Sequence, residues 1–197
     1  MIFEQILVGI MENYVYIIGD EDSKDAAVVD PAWNINKILE IASKYNLSIK
    51  KILLTHTHID HTNGIKKIAK ETGAAVYVHK EEADKIKNLG IEKIKTIDEG
   101  DEIKIGKIKV KVLHTPGHTP GSVCYLADSK LITGDTLFVE GIGRVDLPGG
   151  DKRTMSKSLK RLKNLDENIE VYPGHNYGSK PHSTIGHEKK NNPYMII

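Results

Sequence analysis

A chain of 197 residues, 39% hydrophobic and 28% charged, can form a packed core with a solvated surface. Its 28 basic and 27 acidic residues leave a formal net charge of +1, which offers no general field for nucleic acid or an anionic membrane. No apolar run approaches the ~20 residues that span a bilayer, and a single cysteine, Cys124, forbids an internal disulfide and fits a reducing cytosol.

The opening MIFEQILVGIMENYVY carries Glu4 and Glu12 in its apolar part and lacks a basic leader, so it reads as a strand rather than a signal peptide. A cytoplasmic protein is expected. Apolar alternation and β-branched residues predict strands near 2–8, 13–19 and 26–30. Ile35, Ile38, Leu39, Ala42 and Tyr45 recur at helical spacing and predict an amphipathic helix over 35–46. KKILLT (50–55) reads as a buried strand, and Ile65, Ile68 and Ala69 mark a helix a few residues on. A strand near 75–78 and a helix near 80–88 follow, then TIDEGDEIKIGKIKVKVLHT (96–115) as antiparallel strands with polar turns. Further strands are predicted at 122–127, 130–134 and 169–172, with helices at 154–164, capped by Thr154, and at 183–190. This order fits two sheets packed face to face with helices outside. No linker, low-complexity tract or internal repeat divides it, so residues 1–197 are expected to form one domain.

Between the strand at 50–55 and the next helix lies LTHTHIDHTNG (54–64), with three histidines and an aspartate in six positions. Such groups are costly to bury without partners, and a bound cation reverses that cost. In extended chain, residues two apart share a side, so His56 and His58 can grip one ion. Asp60 and His61 fall in the following turn and can face a second. The alternative is a helix start capped by Asp60 or Thr62, with solvated histidines. Three later segments follow the same pattern of a ligand at a strand exit or in a Pro/Gly turn. HTPGHTPGS (114–122) presents His118, LITGDTLF (131–138) presents Asp135 and VYPGHN (171–176) presents His175. Nitrogen and oxygen donors without cysteine suit Zn²⁺, Fe²⁺ or Mn²⁺. A carboxylate at Asp135 can bridge two cations. Two cations roughly 3.5–4 Å apart can share a water and lower its pKa to about 7, giving a hydroxide that attacks a carbonyl or phosphorus without a serine or cysteine nucleophile. Asp60 can orient that water or shuttle its proton.

His56-Thr57-His58-Ile59-Asp60-His61 resembles the HxHxDH hallmark of the metallo-β-lactamase fold superfamily, and the resemblance extends over nearly the whole chain. It implies an α+β, four-layer αββα sandwich of two β-sheets with helices on the outer faces. It implies His56, His58 and His118 on a first metal, Asp60, His61 and His175 on a second, and Asp135 bridging. VVDPA resembles the family's first motif, which implies that Asp30 orients the ligands. TPGHTPGS, GDTLF, GRVDLPGGD and STIGHEKKNNPY are most similar to glyoxalase II-type hydrolases. Those enzymes cleave S-2-hydroxyacyl thioesters, S-lactoylglutathione above all, by a metal-bound hydroxide. The implied cofactors are two divalent ions, zinc first, with iron or manganese as alternatives. The implied partner is a small-molecule thioester, glutathione-linked in the type case. Larger glyoxalase II enzymes add a C-terminal helical domain that contributes to glutathione binding, and this chain is too short to carry it, which puts glutathione in question.

Other branches fit less well. β-Lactamases of the commonest type place a cysteine where Asp135 stands, and flavodiiron proteins a glutamate where His58 stands. The alternative that remains is a persulfide dioxygenase with one Fe²⁺ on His56, His118 and Asp135. A third is a binding module using metal only for structure, though structural sites are closed and cysteine-rich. Arg144, one of three arginines, is a candidate anchor for a substrate carboxylate, or else a structural ion pair. Tyr177 is a candidate pocket residue or a surface tyrosine. His79 is expected to begin a helix, His114 to pack near the loop, and Cys124 to be buried. Oligomeric state is not readable from the sequence.

Overall fold

The computed structural model describes residues 1–196. The first sheet is built from β1 (Ile2–Val8), β2 (Asn13–Gly19), β3 (Asp25–Val29), β4 (Ser48–Leu53), β5 (Ala75–His79) and β6 (Ile94–Ile97), in that spatial order. β1, β2 and β3 pair antiparallel, and β3 to β6 pair parallel. The parallel pairs need crossovers, supplied by α1 (Ile35–Lys44), by α2 (Ile59–Thr62) with α3 (Ile65–Thr72), and by α4 (Ala83–Ile86) with the 3-10 turn that follows it.

The second sheet takes β7 (Glu102–Ile105), β8 (Ile108–His114), β9 (Val123–Ala127) and β10 (Lys130–Gly134). After the small hairpin of β11 (Leu137–Phe138) and β12 (Gly141–Ile142), α5 (Lys152–Lys163) crosses over to β13 (Glu170–Pro173), and β14 (Ser183–Thr184) and α6 (Ile185–Asn191) complete the chain. The order is β14-β13-β10-β9-β8-β7, with β10 and β13 parallel.

Burial on both faces explains strands such as NYVYIIG, apolar almost throughout. In β2, Val15 and Ile17 face the helices with Ile38 and Ile68. The alternate residues Tyr14, Tyr16 and Ile18 face the other sheet, meeting Val112, Tyr125 and Tyr172. A third cluster joins Cys124, Leu131 and Val171 to Met155, Leu159 and Leu162 of α5. The layers are therefore helices, sheet, sheet, helices, the expected αββα sandwich. Each large buried side chain contributes roughly 1.5–3 kcal/mol. No helix among the described residues is long and apolar enough to cross a membrane.

Three details differ from expectation. The run predicted as antiparallel strands is split: β6 joins the first sheet parallel to β5, because a strand-helix-strand crossover returns the chain in the same direction. Of that run, only β7 and β8 pair antiparallel with each other, in the second sheet. α5 starts before Thr154: Asp151 is its N-cap and accepts from the Thr154 backbone N–H at 2.6 Å. His79 ends β5 instead of beginning a helix.

Parallel strands end together, so the carboxyl ends of β3, β4, β10 and β13 share one edge of the sandwich. Asp30 follows β3 at φ 49°, a left-handed conformation that aspartate tolerates better than most residues. Gly134 has the same φ at the end of β10, where its hydrogen faces Thr55 and a Cβ would overlap Thr55 Oγ1.

Candidate metal centre

The loop leaving β4 delivers the histidine cluster to that edge. Asp30 anchors it: one carboxylate oxygen accepts from the Thr55 backbone N–H (2.8 Å), the other from the Thr55 hydroxyl (2.6 Å). The second oxygen also lies 3.0 Å from His61 Nδ1, which orients His61 with its Nε2 turned inward. α2 then carries Asp60 and His61 back over the strand exit. His118 and His175 are oriented in the same manner by main-chain carbonyls. His118 Nδ1 donates to Arg144 O (2.7 Å), and His175 Nδ1 to Met11 O (2.8 Å).

The inward nitrogens and oxygens converge in two groups. His56, His58 and His118 offer atoms within 4.8 Å of one another, and so do Asp60, His61 and His175. Asp135 lies between them: its oxygens are 3.5 Å from His118 Nε2, 3.3 Å from His61 Nε2 and 3.5 Å from His175 Nε2. All seven predicted ligands are thus brought together. Asp30, His56 and His61 also lie close together, but Asp30 spends both oxygens on Thr55 and His61.

The donor set fits cations. His118 Nε2 is 2.8 Å from His58 Nδ1, and His61 Nε2 is 3.1 Å from His175 Nε2. His118 has already donated through its other nitrogen, so the Nε2 facing His58 is a lone pair in the neutral ring. Buried His56 Nε2 and Asp135 Oδ1 have no hydrogen-bond partner, a costly state that a cation would relieve.

The electrostatics of the cluster agree. Burial drives His56 well below the ordinary imidazole pKa, with His61 adding to the effect. Burial also lowers His58, beside His118. Burial would lower His61, but Asp135 and Asp30 outweigh it and hold it well above normal. For His175, burial is likewise outweighed, by hydrogen bonds to Asp135 and Asp60, giving a value of about 9. Burial opposes ionisation of Asp60 and Asp135, yet the facing histidines keep both below the usual carboxylate range. The two carboxylates therefore favour positive charge beside His61 and His175, in the position where a cation would supply it in place of protons.

The cluster forms the floor of a cavity of about 590 Å³, whose walls include Met11, Phe138, Leu147, Tyr177 and Tyr194. Tyr177 stacks on the His175 ring (centroids 4.6 Å apart, 13° between planes) while remaining 56% exposed. Arg144 lines this cavity, but its guanidinium is held by Asp146 through two hydrogen bonds of 3.0 and 2.8 Å. His79 and His114 stack on each other away from the cluster (4.0 Å), and Cys124 is buried, its thiol raised to about 12 by burial.

Two supporting residues were missed in the sequence. Asn13 is buried at the start of β2, and its Nδ2 donates to Asp60 Oδ2 at 2.9 Å. Glu82 is fully buried and accepts from the Thr57 hydroxyl and from the Gly121 N–H (3.1 Å), tying the loop of His56 and His58 to that of His118. Asn13 starts a strand of otherwise apolar residues, a weak signal; Glu82 sits in the polar run HKEEADK and gave none.

Comparison with known proteins bears on the same residues. The family model described as "Metallo-beta-lactamase superfamily" matches residues 8–175. The "Probable polyketide biosynthesis zinc-dependent hydrolase PksB" of Bacillus subtilis is 37% identical over 94% of this chain and 82% of its own length. "Hydroxyacylglutathione hydrolase GloC" of Haemophilus influenzae is 31% identical, covering 89% of each chain. The crystal structure of ETHE1 from Myxococcus xanthus superposes with a TM-score of 0.88 at 33% identity, over 98% of this chain and 84% of that one.

Proposed function

This chain belongs to the metallo-β-lactamase superfamily of metal-dependent hydrolases, and from that premise we propose that it is a binuclear thioesterase of the glyoxalase II type. The observation that carries the reading is the pair of three-residue ligand groups facing one shared carboxylate, Asp135. His56, His58 and His118 would hold one divalent ion, and Asp60, His61 and His175 the other, zinc in both by the donor set and by likeness to a zinc-dependent hydrolase. When bound, such ions acidify a shared water and polarise a carbonyl.

The chain's own groups do the rest. Asn13 fixes the Asp60 carboxylate, which stays ionised and so can orient the attacking water and accept its proton. Met11, Phe138 and Tyr177 wall the cavity and limit bulk water around the substrate. Arg144, released from Asp146, is in reach of an anionic group on the substrate. The remaining acidic group on the cavity wall, Glu140, is engaged with His187 (2.9 Å) and Ser179 (3.0 Å). Apart from Asp60 and Asp135, which belong to the ligand cluster, no lining carboxyl group among the described residues is therefore free to protonate a leaving group. A thiol, with a pKa near 8.5, leaves as the anion without one, whereas an amine does not. This favours a thioester over an amide, and likeness to a hydroxyacylglutathione hydrolase favours a 2-hydroxyacyl group.

The test is hydrolysis of S-lactoylglutathione by protein purified with its own metal load, with metal content determined on the same sample. Turnover lost on chelation, with about two metals per chain, supports the reading. One iron per chain, no hydrolysis and O₂ uptake with glutathione persulfide would replace it with a dioxygenase on His56, His118 and Asp135.

A further inference from the structure

A second cavity of about 570 Å³ adjoins the one above the metal ligands. The two share Ile142, Arg144 and Tyr194 as wall. The second is mostly apolar, with Val145, Met155, Leu159 and Met195 in its lining. Its rim is cationic: Lys152, Lys160 and Lys163 of α5 line it, and none of them has a carboxylate partner within 4.0 Å among the described residues. Asp146 also lines the cavity, but it is engaged by Arg144. α5 carries six cationic residues and no acidic one in twelve positions, in a chain whose net charge is only +1. Buried Met155, Leu159 and Leu162 account for the helix's inner face; packing gives no reason for the charge on the other.

Resting on the thioesterase reading, we propose that this second cavity receives the thiol-carrier half of the substrate, and that the carrier is a phosphorylated pantetheine arm. The acyl carbon would lie over the metal ligands. The arm would pass Ile142 and Tyr194, its apolar stem would cover Met155 and Leu159, and its phosphate would meet the lysines. Charge complementarity selects this occupant. Glutathione is short and polar throughout, and leaves an apolar floor without a partner. A plain acyl chain would fill the floor and leave three unpaired lysines around it. A phosphate gains from each lysine as a point charge, and an apolar stem gains by area. The arm occurs in coenzyme A and on acyl-carrier proteins, and both present the same chemistry here.

The experiment is calorimetric titration of the metal-loaded protein with desulfo-coenzyme A, which has no thiol to bind metal, alongside hydrolysis of a lactoyl thioester of coenzyme A and of N-acetylcysteamine. The comparison protein carries Lys160→Glu and Lys163→Glu, with its thermal midpoint as a folding control. Saturable binding that weakens roughly tenfold in the double variant, the scale of two partly exposed charge contacts, supports the proposal. So does loss of the preference for the coenzyme A thioester over the N-acetylcysteamine one. No binding of desulfo-coenzyme A, or binding equal in both proteins, overturns it. Binding that depends on the lysines, with no thioester hydrolysed, would leave the cavity assignment standing and refute the thioesterase reading instead. Pantothenate 4′-phosphate binding as tightly as desulfo-coenzyme A assigns the site to the arm alone, as a carrier protein presents it. Weaker binding assigns it to coenzyme A.

Discussion

Asp30 contributes to the site without pointing a free oxygen into it. Its carboxylate holds Thr55 and His61 together, so the rotation of the His61 ring depends on a residue at the end of a different strand. In Asp30→Asn the Thr55 bonds can survive, but an amide nitrogen now faces His61 Nδ1 and the ring loses its acceptor. Metal affinity, measured by competition with a chromophoric chelator, should fall roughly 10–100-fold. An unchanged affinity would show that His61 is oriented by packing alone. Arg144 is the opposite case, a side chain that must give up a partner before it can act. If it anchors an anionic substrate, Arg144→Ala should raise KM for S-lactoylglutathione about two- to fivefold and leave kcat unchanged, as removal of an exposed charge contact does. Equal KM values would reduce Arg144 to its pairing with Asp146.

At the scale of elements, the ligands are positioned by strand ends, and glycines keep those ends close. Gly174 follows β13, and a Cβ there would overlap Asp135 Oδ1 and come within 3.0 Å of His61 Cε1. Gly174→Ala should therefore displace the shared carboxylate and lower bound metal below two per chain, read by elemental analysis. Two retained ions would mean that the edge has slack. Glu82 acts between elements too. Truncating it to Ala leaves the Gly121 N–H and the Thr57 hydroxyl without their acceptor, at a cost of about 2–3 kcal/mol, which urea unfolding would register. The contrast with the sequence is instructive. The ligand strands and Pro/Gly turns were legible because periodicity and turn chemistry are local. Asn13, Glu82 and the Met11 carbonyl were not, because each acquires its role from a partner far away in sequence. The same holds for β6, whose sheet is decided by the crossover before it and not by its own residues.

For the whole molecule, the cluster poses an energetic question that the fold alone does not answer. The sandwich has three apolar clusters independent of the ligand cluster, so the two sheets should persist without metal. The ligand edge should not be neutral in that state. His56 Nε2 and Asp135 Oδ1 are buried without hydrogen-bond partners, and the facing carboxylates favour positive charge on His61 and His175. Metal that binds only the folded chain stabilises it by about 2.7 kcal/mol at a free concentration of 100 Kd, or roughly 5–10 °C in a chain of this size. Exhaustive chelation should thus lower the calorimetric midpoint by that order while leaving the far-ultraviolet dichroism unchanged. The gap between loaded and chelated protein should narrow as pH falls through the His175 value of about 9, because protons then compete for the same nitrogens. Equal midpoints would mean that the cluster holds no ion. Loss of the dichroism would mean that the metals hold the fold together, and would turn the reading from catalysis to a metal-stabilised binding module. A lowered midpoint with intact sheets is the result expected of a site built for chemistry on a scaffold that stands without it.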